Sequence, residues 1–167
     1  MSVTSVDRDY DRLMITLIAD FDAAIDHVWE LWSDPRKLER WLGPPTHPAS
    51  VQKHDLTPGG EVTFFMTGPE GERSWGTWRV AAVDPPTWLE FTDAFADAEG
   101  MPLADMPVNT VRVGLSERAG GTRMKLQSAF DSREDMEQRE RMGEVEGLRA
   151  AIAQMDGLLE PQADQLD

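Results

Sequence analysis

One apolar stripe with helical spacing dominates the C-terminal part of the chain. Its members recur at steps of three and four residues, the period of one helix face. They are Val145, Leu148, Ile152, Met155 and Leu159. Ser132 with Asp135 three residues later is typical of a helix start, and Pro161 indicates the end. The pattern predicts one long helix over residues 132–159.

The preceding hundred residues alternate between apolar and polar positions in short runs, which predicts strands. The first strand covers residues 12–21, and Asp20 or Asp22 could cap the helix that follows. Two short helices follow between residues 24 and 42, separated by Asp34-Pro35 and ended by Gly43-Pro44-Pro45. The six further strands are predicted over residues 49–56, 61–67, 73–83, 87–95, 108–117 and 122–130.

Sequential strands joined by mostly short loops form an antiparallel sheet. Such a sheet must curl to cover a single long helix. We therefore expect an α+β helix-grip fold: a curved seven-stranded antiparallel sheet around a long C-terminal helix, with two short helices after the first strand. Residues 1–11 are expected to be frayed, 12–159 to form one domain, and 160–167 to be an acidic tail.

The amino-acid composition disfavours several kinds of partner. The chain of 167 residues has 40% hydrophobic residues, no cysteine and a net charge of −15. The charge disfavours nucleic acid and anionic membrane surfaces as partners, and no apolar run is long enough to span a membrane. No signal peptide is recognisable, so a cytoplasmic protein is expected. A homodimer through an edge strand is an option that the sequence leaves open.

Several short motifs occur in the order and spacing of a known family. They are Val28-Trp29 with Trp32, Asp34-Pro35, Leu38-x-x-Trp41-x-Gly43-Pro44, Asp55-Leu56-x-Pro58-Gly59-Gly60, Gly68-Pro69-x-Gly71, Asp84-Pro85-Pro86 with Trp88-Leu89-Glu90-Phe91, and Glu146-Gly147-Leu148. With them the chain resembles the START-like, or Bet v 1-like (SRPBCC), helix-grip superfamily. More narrowly, it is similar to bacterial homologues of the activator of heat-shock protein 90 ATPase.

The resemblance implies the helix-grip fold but leaves the function open, because the family contains ligand binders, a few enzymes and co-chaperones. Relatives usually carry Trp after the helical Glu-Gly, where this chain has Leu148. The smaller side chain would leave more room under the helix.

Large rings and flexible thioethers can form an apolar ligand pocket, although each of them is more often core. Because a curved sheet encloses more volume than one helix fills, we expect a pocket. The candidate ligand-binding residues are Trp29, Trp32, Trp41, His54, Phe64, Met66, Trp78, Phe91, Val113, Met124, Arg141, Val145, Leu148 and Ile152.

Polar candidates are few. His54 could face the cavity from its strand, and Arg141 falls on the same helix face as Leu148, where it could meet a ligand or pair with an acid. Gly143 predicts either a bend in the helix, which we favour, or a segment that opens the pocket. No metal-ligand spacing, catalytic triad or cofactor fingerprint is present, so no catalytic residue, metal or cofactor is predicted.

The leading hypothesis is a protein that binds a small, largely apolar molecule between sheet and long helix. One alternative is an enzyme of the same fold, such as a cyclase or hydrolase, which needs a polar group with a shifted pKa inside the pocket. The other is a stress-related co-chaperone of a heat-shock ATPase. Against it, the eukaryotic activators carry an additional amino-terminal domain that makes much of the contact.

Overall fold

The computed structural model describes residues 3–159, which form eight strands and four helices. The expected helix end at Pro161 and the acidic tail lie outside these residues. The elements are β1 (Val3–Asp9), β2 (Met14–Phe21), α1 (Ile25–Ser33), α2 (Pro35–Trp41), β3 (Ala49–His54), β4 (Glu61–Thr67), β5 (Arg73–Asp84), β6 (Trp88–Ala96), β7 (Asn109–Arg118), β8 (Gly121–Phe130), α3 (Arg133–Arg141) and α4 (Glu144–Leu159).

All strands belong to one antiparallel sheet in the order β1-β2-β8-β7-β6-β5-β4-β3. Irregular register in the β1–β2, β3–β4 and β5–β6 pairs marks bulges, which bend and twist a sheet. The curved helix-grip architecture is thus confirmed. Strands β7 and β8 form a hairpin in which Val113 pairs with Leu126 and Leu115 with Met124.

The expected strand number of seven is wrong, because the segment expected to be frayed forms β1. This edge strand pairs with β2 from Val3 to Asp9. Only Val3 and Val6 supply apolar contact with the core. Backbone hydrogen bonds hold the strand, and these leave little trace in an apolar–polar pattern.

The two short helices are fixed to each other near the sheet. Asp34 ends α1 and caps α2, where its carboxylate accepts a hydrogen bond from the Arg36 backbone N–H. The Trp41 indole N–H donates to the Leu31 carbonyl at 2.8 Å. The expected cap of α1 by an aspartate is wrong. Ala24 occupies the N-cap without a side-chain bond, and Asp20 instead pairs with Arg118 and Arg123.

The long C-terminal helix is two helices. Ser132 caps α3 by accepting from the Asp135 N–H at 3.1 Å, as predicted. The chain leaves the helix at Met142, and Gly143 adopts a left-handed φ of +81° that a side chain would disfavour. The change of direction expected at Gly143 is therefore a full break. It changes which residues of α3 face the interior.

Helix α4 packs against α1, α2, α3 and β1. The Gln154 amide fastens it by donating to the carbonyls of Trp41 and Gly43 at 3.2 and 2.7 Å. Within residues 3–159, no helix has both the length and the apolar character needed to cross a membrane.

Candidate functional site

A cavity of about 310 Å³ lies between the sheet and the helices. Strands β4 to β8 form one side, and α1, α2, α3 and α4 contribute to the other. Gly147 and Leu148 lie at the α4 side, and a Cβ added to Gly147 would meet no atom within 4 Å. The space expected beside Leu148 is therefore present.

Aromatic rings form the apolar wall of the cavity. Trp78 stacks on Phe91 with ring centroids 4.0 Å apart, and Trp32 meets Trp41 edge to face at 4.7 Å. Phe64 contacts Trp78 at 5.8 Å. Such interlocked rings hold a rigid apolar surface, because each ring limits the rotamers of the next.

The absence of a side chain at Gly76 lets the tip of the Phe64 ring approach β5 closely. A Cβ at this position would come within 2.6 Å of the Phe64 ring. Gly76 and Phe64 are direct register partners in the β4–β5 pair. Gly76 therefore determines the position of the Phe64 ring in the cavity wall.

Charged side chains from three elements meet at one place on the cavity wall, its polar end. Arg139 of α3 donates to the Glu144 carboxylate of α4 at 3.0 Å, and its guanidinium lies 3.6 Å from the Asp93 carboxylate of β6. Arg139 also donates to the Pro107 carbonyl at 3.0 Å and lies over the Phe95 ring at 4.4 Å. With only 6% of its surface exposed, Arg139 is a buried connection between helices, sheet and loop.

Burial changes the proton affinity of both acids. Desolvation raises the pKa of Glu144 from 4.5 to about 7, against the opposing attraction of Arg139. The nearby charges of Asp93 and Glu140 raise it further. Desolvation also raises the pKa of Asp93, and Arg139 again opposes the shift. Glu144 is therefore poised to gain or lose a proton near neutral pH.

Several buried polar atoms at the cavity have no partner among the described residues. They are Asn109 Oδ1, Glu144 Oε2, Arg139 Nε and Trp32 Nε1. The other end of the Asn109 amide is fixed, because its Nδ2 donates to the Ser128 hydroxyl. Unpaired buried polar groups cost stability, so these atoms at the cavity wall are available to a ligand or to water.

Seven of the fourteen candidate residues line the cavity: Trp32, Trp41, Phe64, Met66, Trp78, Phe91 and Leu148. Five others are buried in the core beside it: Trp29, Val113, Met124, Val145 and Ile152. Their side chains touch other apolar residues because they sit one turn or one register position away from the open space.

The two polar candidates lie elsewhere. His54 is half-buried, and its Nε2 lies 3.1 Å from the Trp32 carbonyl. Arg141 is exposed at the end of α3. Its expected position assumed a continuous helix, and the break at Gly143 removes the common face with Leu148.

The polar end was missed by sequence reasoning. Arg139 lies opposite Leu148 on an uninterrupted helix, so it looked like a surface residue. A signal existed for Asp93, which alternates with Phe91 and Phe95 on one face of β6. Glu144 had no comparable signal, since only the new helix start turns it inward. Among residues 3–159, no group of three or more His, Cys, Asp or Glu side chains could hold a metal ion.

Fold and cavity together define a START-like helix-grip protein with an internal, largely apolar site. The chain belongs to the family described as Activator of Hsp90 ATPase homolog 1-like protein, whose sequence profile matches residues 22–160. The resemblance drawn from the motifs is confirmed.

Similar solved structures come from several bacteria. Protein Ms6760 from Mycobacterium smegmatis is 45% identical with a TM-score of 0.89, over 96% of this chain and 98% of that one. A protein from Arthrobacter aurescens is 42% identical with a TM-score of 0.92, over 97% and 94%. The AHSA1 protein from Silicibacter pomeroyi is 26% identical with a TM-score of 0.66, over 85% and 96%. No curated protein matches the chain.

Proposed function

We propose that the protein binds a small, largely apolar molecule in the cavity between the sheet and the helices. The cavity of about 310 Å³, walled by aromatic rings and closed at one end by polar groups, carries this proposal. Its size lies at the lower end of small-molecule sites, which span roughly 300 to 1,000 Å³. Proteins of this family often bind hydrophobic ligands, which agrees with the proposal.

The aromatic wall also favours binding energetically. An apolar ligand that covers these rings gains roughly 25 cal/mol for each Å² of apolar surface removed from water. Interlocked rings such as Trp78 and Phe91 lose little side-chain freedom when a ligand arrives, because their rotamers are already restricted. We therefore expect a rigid ring system to bind better than a flexible chain of equal surface.

Tryptophan fluorescence and thermal shift against a panel of lipids, polyketides and aromatic compounds test the proposal. Four tryptophans, Trp32, Trp41, Trp75 and Trp78, line the cavity, so a bound ring should quench emission and raise Tm. The variant Leu148→Trp should abolish both responses by filling the site. Leu158→Trp adds the same indole on α4 outside the cavity and should retain them. The proposal fails if no compound changes either signal.

A second candidate function, acid–base catalysis, is favoured by Glu144. A carboxyl with a pKa of about 7 beside an apolar cavity is suited to give or take a proton. Mass spectrometry of compounds recovered after incubation separates the two functions. A binding protein returns each compound unchanged, whereas an enzyme converts one of them, and Glu144→Gln then slows the conversion while binding persists.

A further inference from the structure

The cavity wall contains more acidic than basic side chains. Among the described residues that line it, the charged side chains are Asp93, Arg139 and Glu144. One guanidinium therefore faces two carboxyl groups. Burial raises the pKa of both acids, so a cationic ligand would favour their ionised forms, in which the polar end carries one net negative charge.

Arg139 has little capacity left for an anionic ligand. Its Nη1 donates to Glu144, its Nη2 donates to the backbone carbonyls of Asp93 and Pro107, and its face is covered by Phe95. Only Nε is without a partner. A ligand carboxylate could therefore reach only Nε, because both Nη groups already donate to protein acceptors.

Two of the unpartnered atoms at the cavity are acceptors, whereas Arg139 Nε and Trp32 Nε1 are donors. Asn109 Oδ1 and Glu144 Oε2 are buried without a partner, and Asn109 is only 2% exposed. Asn109 is the register partner of Asp93 in the β6–β7 pair, so the amide oxygen comes from the strand beside the acid. A ligand group that satisfies Asn109 Oδ1 and Glu144 Oε2 must donate hydrogen bonds.

Two further features favour a positive charge on that ligand. Trp78 is the register partner of Asp93, and its side chain hydrogen-bonds to that carboxyl, so the stacked Trp78–Phe91 pair adjoins Asp93. Aromatic faces attract ammonium groups, most strongly when both are removed from water. The net charge of −15 also draws cations toward the protein and repels anions.

We propose that the polar end of the cavity binds the ammonium group of an apolar amine, with Glu144 and Asn109 as its acceptors, Asp93 as a second carboxyl nearby and the aromatic wall around its ring. This inference rests on the proposed function and assigns its ligand class. A fatty acid or other apolar carboxylate is selected against, because it would face two acids and an occupied arginine.

Binding of the amine is coupled to a proton on Glu144. The charged groups facing this carboxyl are Arg139 and Glu140 from α3 and Asp93 from β6. Without a ligand the pKa of Glu144 is about 7, so its ionised fraction rises from about one tenth at pH 6 to about nine tenths at pH 8. An amine that needs the ionised form should bind about tenfold more tightly at pH 8 than at pH 6.

Isothermal titration calorimetry with three compounds of equal ring size tests this assignment: 2-naphthylmethylamine, 2-naphthylmethanol and 2-naphthoic acid. We expect the amine to bind at least about tenfold more tightly than the acid at pH 8 and to show the pH dependence above. The alcohol should bind with the same affinity at pH 6 and pH 8, because it carries no charge.

Two variants test whether Glu144 causes the tight binding of the amine and its pH dependence. Glu144→Gln should weaken the amine about tenfold at pH 8, remove its pH dependence and leave the alcohol unchanged. Glu146→Gln makes the same substitution two residues on, where the side chain is 73% exposed, and should behave like the unaltered protein. If Glu144→Gln does not fold, two other measurements test the amine assignment. They are the affinity of Asp93→Asn for the amine and the pH dependence of amine binding by the unaltered protein.

The outcomes separate the ligand class from the function itself. If the alcohol binds but the acid binds as tightly as the amine, the assignment to an amine is overturned and the binding function stands. The assignment also fails if the affinity for the amine is the same at both pH values. If none of the three compounds binds, the amine assignment falls, and the panel of lipids, polyketides and aromatic compounds decides separately whether the binding function stands.

Discussion

Replacing Glu144 by Gln should change how the stability of the protein depends on pH. The folded protein holds the Glu144 proton with a pKa of about 7, whereas the ordinary value is 4.5. The folded state therefore binds more protons than the unfolded state between these values. The stabilisation from this group is complete below about pH 4.5 and is lost as the pH rises through 7.

The size of the effect follows from the two pKa values. Between pH 5 and pH 8 the contribution of Glu144 to the free energy of unfolding falls by about 2 to 3 kcal/mol. The side chain is only 13% exposed, so solvent screens this contribution little. Asp93 acts in the same direction because its pKa is also raised. The difference between variant and unaltered protein isolates the share of Glu144.

Urea denaturation at pH 5 and pH 8 measures this difference. We compare the free energy of unfolding of Glu144→Gln with that of the unaltered protein at each pH. The value for the variant minus that for the unaltered protein should be about 2 to 3 kcal/mol larger at pH 8 than at pH 5. Glu146→Gln, on the exposed side of the same helix, should show no such change. A Glu144→Gln difference that is equal at both pH values would refute the burial of an ionisable carboxyl at the cavity.

Three further substitutions have definite expected outcomes. Leu148→Trp should fill the cavity, changing the free energy of unfolding by less than about 1.5 kcal/mol while weakening naphthyl ligands at least about tenfold by calorimetry. Arg139→Leu should cost about 3 to 5 kcal/mol in urea denaturation at pH 8, because Asp93 and Glu144 lose their buried counter-charge, and clearly less at pH 5, where they take up protons. Gly143→Ala should lower the free energy of unfolding by about 1 to 2 kcal/mol and lower Tm, since the φ of +81° disfavours a side chain. No neighbouring atom lies within 4 Å of the added methyl group, so the cost comes from the backbone alone. An unchanged Tm would contradict the left-handed conformation.

Local patterns predicted most of the sheet and the short helices. Strand β4 begins and ends where the alternation of Val62, Phe64 and Met66 indicates. The pair Asp34-Pro35 separates α1 from α2 as predicted. These elements follow from nearest-neighbour chemistry: turn residues, proline geometry and one apolar face.

The features that escaped prediction depend on tertiary contacts. β1 is an edge strand whose hydrogen bonds come from the backbone, and its polar side chains carry no signal. The break at Gly143 places Arg139 and Glu144 inside, although helix periodicity alone puts Arg139 on the surface. The apolar wall of the cavity could thus be anticipated from residues such as Trp78 and Phe91, whereas its polar end could not.

The proposed function requires that a small apolar molecule can occupy the space beneath Leu148. A crystal structure of the protein grown with 2-naphthylmethanol shows whether it does. We expect electron density for the naphthalene ring against Trp78 and Phe91, with the hydroxyl directed toward Asn109 Oδ1. Side chains that fill the interior, or a ring bound only on the outer surface, would contradict it.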